Sequence, residues 1–153
     1  MKHWITLLTA LAASAVFASI AAAFAFASGS TGNGTTVAVA KSRLGRILVD
    51  GKGITLYDFV KDRSGASTCY GACAALWPPL ITKAKPHAGS GVRASLLGTT
   101  RRKDGKLEVT YNHHPLYYFV TDRKPGQTTG QGVNQFGSPW WVLSAAGKEI
   151  HHG

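Results

Sequence analysis

From residue 46 to residue 60 the chain reads as two short apolar runs with a turn between them. Ile47-Leu48-Val49 precedes the turn signal Asp50-Gly51-Lys52-Gly53, and Ile54 to Val60 follows it. The glycines supply the positive backbone angles that tight hairpins need, so the pattern predicts a β-hairpin. The same pattern returns as Lys106 to Tyr111, the turn Asn112-His113-His114-Pro115, and Leu116 to Val120. Along the second strand of each hairpin, Tyr57 and Phe59 share one face with period two, as do Tyr117 and Phe119. Leu56 and Val60, like Leu116 and Val120, fall on the other face. Apolar residues on both faces predict a strand covered on both sides.

The two hairpins are copies. Leu56-Tyr57-Asp58-Phe59-Val60-Lys61-Asp62-Arg63 recurs sixty positions later as Leu116-Tyr117-Tyr118-Phe119-Val120-Thr121-Asp122-Arg123. The same offset aligns Gly45, Ile47 and Val49 with Gly105, Leu107 and Val109. A repeated unit that cannot bury its apolar face alone finds the other half of a core in its copy. The predicted fold is therefore mainly β with short helical insertions, its two pseudo-symmetric repeats (about 41–98 and 99–150) packed as one domain over 41–150. Trp77-Pro78-Pro79 ends an Ala-rich stretch with room for one or two helical turns, and Val92 to Leu97 suggests a short helix ending at Gly98. Asp62 and Asp122 close equivalent strands and are predicted to accept backbone N–H bonds in the following turns. Asn in their place keeps an oxygen acceptor and is predicted to be mild.

Upstream of the repeats, Ile5 to Ala27 is apolar, Ala-rich and uncharged, and Ala25-Phe26-Ala27 presents small residues where a signal peptidase reads. Residues 1–27 are predicted to be a cleaved export signal, leaving no stable membrane span. The alternative is a retained anchor, since the stretch approaches the length that crosses a bilayer. Residues 28–40, rich in Gly, Ser and Thr, are predicted to be a flexible tether. The expected location is outside the cytoplasm, periplasmic or extracellular.

The formal charge is +10, with seven acidic residues. Basic residues gather at Lys41, Arg43 and Arg46, at Lys83 and Lys85, and at Arg101, Arg102 and Lys103. For an exported protein the natural partners of such a surface are anionic envelope polymers or a membrane surface, and nucleic acid is not expected. The same charges also serve simply to solvate the surface.

Cys69 and Cys73 are the only cysteines, and in an oxidising compartment a disulfide is the default, worth about 2 kcal/mol because the loop is short. A metal or redox role for the pair is the competing reading. His113 and His114 raise a metal site, with His87, His151 and His152 as further imidazoles, but neighbours on an extended segment point apart. Trp77, Trp140 and Trp141 with the motif tyrosines suit either an exposed platform for a sugar or quinone, or core packing, and Trp140-Trp141 on a strand places one indole on each face. No nucleophile elbow, phosphate loop or carboxylate pair stands out, so no catalytic residue and no cofactor is predicted.

Tyr57-Asp58-Phe59-Val60-Lys61-Asp62 and Tyr117-Tyr118-Phe119-Val120-Thr121-Asp122 both fit a Tyr-x-(Phe/Trp/Tyr)-x-x-Asp motif. With Cys69, Cys73 and Trp77-Pro78-Pro79-Leu80, with Val109-Thr110-Tyr111-Asn112, and with Gly130-Gln131-Gly132 and Trp140, the chain resembles the bacterial secreted-repeat proteins described as predicted lipoproteins. The resemblance implies an exported envelope protein with no established activity. The chain lacks the lipid-attachment cysteine of many members, and His113 stands where the family often has Gly. Function is thus expected to be a non-catalytic binding or structural module with a basic, aromatic surface. The alternative is a metal-binding or redox accessory protein.

Overall fold

The computed structural model describes residues 34–153. The expected signal segment 1–27 lies outside them. The folded part starts earlier than residue 41, because β1 (Thr36–Ser42) occupies the end of the expected tether. Its Val37 is fully buried, so the Thr/Val/Ala alternation here is strand pattern, not linker composition.

β1 pairs antiparallel with β2 (Gly45–Asp50) and, on its other edge, parallel with β5 (His87–Ala88). A second sheet is built from β3 (Tyr57–Phe59), β10 (Ser138–Val142) and β9 (Asn134–Gln135), with β10 in the middle. In the third, β7 (Leu107–Tyr111) lies between β4 (Ile81–Thr82) and β6 (Leu97–Arg101), and β8 (His114–Pro115) also pairs with β7. The helical insertion is one short helix, α1 (Ala72–Leu76), which Trp77 and the prolines end. The helix expected over 92–97 is a 3₁₀ turn at Ala94–Leu96, because Leu97 already belongs to β6.

Strands from one repeat pair with strands from the other. β3 lies on β10, and β4 lies on β7. Leu116 to Val120, expected as a strand, is not one, because β8 ends at Pro115 and only isolated bridges at Tyr117 follow. At one of these Tyr57 and Tyr117 exchange both backbone bonds, each N–H donating to the other's carbonyl at 2.9 Å. The predicted double-sided covering holds. Tyr57, Phe59 and Tyr117 enter one core cluster with Trp77 and Trp140, while Leu56 and Leu116 enter a second with Leu48, Leu80, Val109 and Leu143.

The constant offset of sixty does not survive upstream of the hairpin turns. Leu56 N–H donates to Leu48 and Leu116 N–H donates to Val109, while Leu48 and Val109 in turn donate to Leu143 and Leu80. Leu48 therefore matches Val109, not Glu108, and Ile47 matches Glu108. The cause is the turn. Asn112 and His113 both adopt left-handed backbone, at φ 49° and 68°, and close the second hairpin in fewer residues than Asp50 to Gly53 use in the first. A side chain in the place of Ile47 is thus a buried glutamate in the second copy.

Candidate functional site

The repeated motif makes the centre of the fold. Phe59, Trp140, Trp77 and Phe119 form one pile of rings, with centroids 4.1, 4.0 and 4.2 Å apart in that order. Tyr57 stands edge-on to Trp77 and Tyr117 edge-on to Trp140. These offset and edge contacts are the arrangements aromatic quadrupoles favour. The indole N–H groups of Trp77 and Trp140 both donate to Gln135, one to its side chain and one to its backbone carbonyl. Gly130 closes the site against Trp77, whose ring would lie 2.7 Å from any Cβ there.

Each tyrosine gives its hydroxyl proton to the aspartate of the other copy. Tyr57 donates to Asp122 Oδ2 and Tyr117 to Asp62 Oδ2, both at 2.5 Å. The second carboxylate oxygen of Asp62 accepts the backbone N–H and hydroxyl of Thr68, and that of Asp122 does the same for Thr129. Burial together with the neighbouring carboxylates raises both phenols far above the ordinary tyrosine range, so they remain donors. The predicted turn-fixing role of the aspartates is present but incomplete, since each also binds the phenol across the repeat. An Asn side chain keeps the Thr contacts and turns an amide N–H toward a phenol that is itself a donor. Asp62→Asn and Asp122→Asn are expected to cost about 1.5–3 kcal/mol each in urea unfolding, more than the sequence suggested. A loss below 0.5 kcal/mol would show the crossed bonds to be dispensable.

Cys69 and Cys73 are joined by a disulfide, with Cα atoms 5.3 Å apart. The Cys69 carbonyl accepts from Arg102, which reaches in from the second repeat. Arg102, expected on the basic surface with Arg101 and Lys103, is instead buried, where it donates to Glu108 Oε2 at 2.6 Å and to Ser67. Ser67 continues the chain to the Tyr117 hydroxyl. Burial pushes the Glu108 carboxyl up to about 7 despite the guanidinium beside it.

Away from this centre, a cavity of about 460 Å³ opens at the hairpin turn, lined among others by Asp58, Phe59, Arg63, His113, His114 and Glu149. Asp58 sits in the middle of β3, opposite Trp141 of β10. His114 begins β8 directly after the left-handed turn, and Glu149 is held by a bridge to Leu143 beyond β10. Asp58 Oδ2 lies 3.1 Å from His114 Nδ1, while its other oxygen, Oδ1, is buried and without a hydrogen-bond partner among the described residues. One donor atom from each of Asp58, His114 and Glu149 falls within 4.8 Å of the others. Burial raises Asp58 to about 6, the His114 bond works against that rise, and Glu149 adds to it. The bond to Asp58 in turn raises His114. Glu149 Oε2 is 2.6 Å from His151 Nε2, and the His151 ring lies on Trp141.

Of the imidazoles singled out in the sequence, His113 and His114 both line this cavity, and His114 alone bonds to Asp58. His151 attaches to Glu149, His87 pairs with Thr36 in the first sheet, and His152 is exposed. Asp58 and Glu149 escaped the sequence reading. The available signal was asymmetry, because Asp58 is the motif position where the second copy carries Tyr118, whose hydroxyl bonds Asp50 instead. Trp77, Trp140, Tyr57 and Tyr117 are fully buried and belong to the core, whereas Trp141, on the other face of β10, is half-buried beside His151.

No curated protein and no solved structure matches the chain. A family profile matches it twice, over residues 38–81 and 98–144, which takes in most of both repeats and more than half of the chain. The matched segments contain both copies of the motif, the disulfide loop and both piled tryptophans, so the chain belongs to the family described as a secreted repeat of unknown function.

Proposed function

We propose that the protein is an exported, non-catalytic binding module of the cell envelope, and that its ligand is a cation held by Asp58, His114 and Glu149. The observation that carries this reading is the Asp58 carboxylate: it is buried, one of its oxygens has no donor, and a second carboxylate stands beside it. Two carboxylates and one imidazole converging within 4.8 Å form a donor set that a bound cation completes beyond the pairing His114 gives Asp58 and His151 gives Glu149. The exposed Lys41, Arg43, Arg46, Lys83 and Lys85 suit contact with anionic envelope polymers, which would hold the module where such polymers concentrate cations.

Asp58→Asn tests the reading. The Asp58 carboxyl is raised in the folded state, so its favourable contribution is complete below the ordinary range near 4 and is lost as pH rises through about 6. Above that pH the ligand-free fold carries a buried charge. The Asn variant is expected to melt several degrees higher than the parent at pH 8 in chelator, and equally at pH 4. A cation that binds only the folded state raises the parent's melting temperature by mass action, and the variant's rise is expected to vanish. A parent that gains nothing from zinc, copper, calcium or spermidine would refute the reading.

A further inference from the structure

We infer that the ion is a divalent transition metal, copper(II) or zinc(II), bound directly by His114, Asp58 and Glu149, with His151 as an outer partner that orients Glu149. This inference rests on the cation-site reading above and names its ligand class. An Asp58–His114 ion pair alone accounts for Oδ2 of Asp58. It leaves Oδ1 without a donor among the described residues, and Glu149, paired on its outer side with His151, stands against the same carboxyl.

The donor set discriminates between cations. Calcium and magnesium seek six or more oxygens, whereas an imidazole with two carboxylates is a set that zinc and copper accept. A polyamine would bring ammonium donors toward His114, whose Nδ1 is already turned to Asp58. Donors around a tetrahedral ion at bond lengths of about 2.0–2.2 Å stand roughly 3.4 Å apart, so the three groups need close only modestly from their present separation of at most 4.8 Å. The site allows that movement. Asp58 is fixed in the middle of a strand with its side chain 2% exposed, whereas the side chains of His114 and Glu149 are 32% and 24% exposed and sit on a turn and a terminal segment. The open side of the cavity leaves room for water or another ligand in the remaining position.

The support around the ligands is of the kind that metal sites use. Glu149 holds His151 at 2.6 Å, and Gln131 pins the same tail by donating to the carbonyls of Ile150 and His152. The three ligands come from β3, from the start of β8 and from the segment after β10, so one ion ties both motif hairpins to the C-terminal tail.

The test is calorimetric titration of the chelator-treated, full-length protein with zinc and copper(II) chloride, with calcium chloride and spermidine as comparison ligands. One equivalent of zinc or copper is expected to bind at least about 100-fold tighter than calcium. His114→Ala and Asp58→Asn are expected to lose at least about 100-fold. His151→Ala should lose about 10-fold, as outer partners do, while His87→Ala and His152→Ala should match the parent. The copper(II) spectrum of the parent is expected to show one directly bound nitrogen. Circular dichroism and melting of Asp58→Asn, which keeps the side-chain shape, verify that a loss is not unfolding. Equal affinity for calcium or spermidine, unchanged in His114→Ala, would overturn the transition-metal inference and leave the cation site standing. Binding that survives both His114→Ala and Asp58→Asn, or no binding of any ligand, would overturn the two together.

Discussion

Replacing Arg102 by alanine is expected to lower stability by about 3–5 kcal/mol, a large part of what a domain of this size possesses. The guanidinium donates to Glu108, to Ser67 and to the Cys69 carbonyl, and its plane lies 4.3 Å from the Tyr70 ring centre. Alanine removes all four contacts and leaves a fully buried glutamate without the cation it pairs with. Glu108 then escapes only by taking a proton. Its carboxyl is already raised to about 7 with Arg102 present, so the deficit should shrink at pH 5 and widen at pH 8. Urea unfolding at the two pH values checks both parts. The double replacement Arg102→Met with Glu108→Leu should regain most of the loss, since it removes the unpaired buried charge and leaves only the Cys69 carbonyl without its donor. A single variant within 1 kcal/mol of the parent would contradict the role given to this pair.

The second large effect is expected in the pile of rings, and it is unequal. The sequence alignment makes Phe59 and Phe119 equivalent and predicts the same loss for each. In the fold, Phe59 is 2% exposed and stacks on Trp140, while Phe119 covers Trp77 from the half-buried end. Phe59→Ala is expected to cost about 3–5 kcal/mol, because it leaves a cavity inside the pile. Phe119→Ala removes a lid whose outer side already meets water and is expected to cost about 2 kcal/mol. Urea unfolding of the two variants, with the slope monitored for two-state behaviour, decides between an unequal and an equal pair.

What the sequence made legible was whatever repeats or alternates locally. β3, the alternating apolar positions of both motif segments, the disulfide and the turn at Asn112-His113 follow from period-two patterning, from the oxidising compartment and from residue types that tolerate positive φ. The slipped register did not, because two turns of different length look interchangeable until the strands are paired. Arg102 reads as one more surface charge between Arg101 and Lys103, and only its distant partners Ser67 and Cys69 reveal where it goes. The candidate metal site joins Asp58, His114 and Glu149 across most of the domain, a set that no local spacing announces. Its one local trace was that a charge replaces an aromatic residue in one copy of an otherwise faithful motif.

The crossed Tyr57–Asp122 and Tyr117–Asp62 bonds define what a single copy would lack. Alone, it would hold a buried carboxylate short of a donor, a phenol with nowhere to give its proton, and an indole bare on both faces. Two such chains facing each other would supply all three deficits at once, as a self-complementary dimer does. Joining the copies through the segment between β4 and β6 replaces that association by an intramolecular one, whose effective concentration is set by a short linker and not by the amount of protein present. For an exported protein, the fold thereby becomes independent of its own abundance.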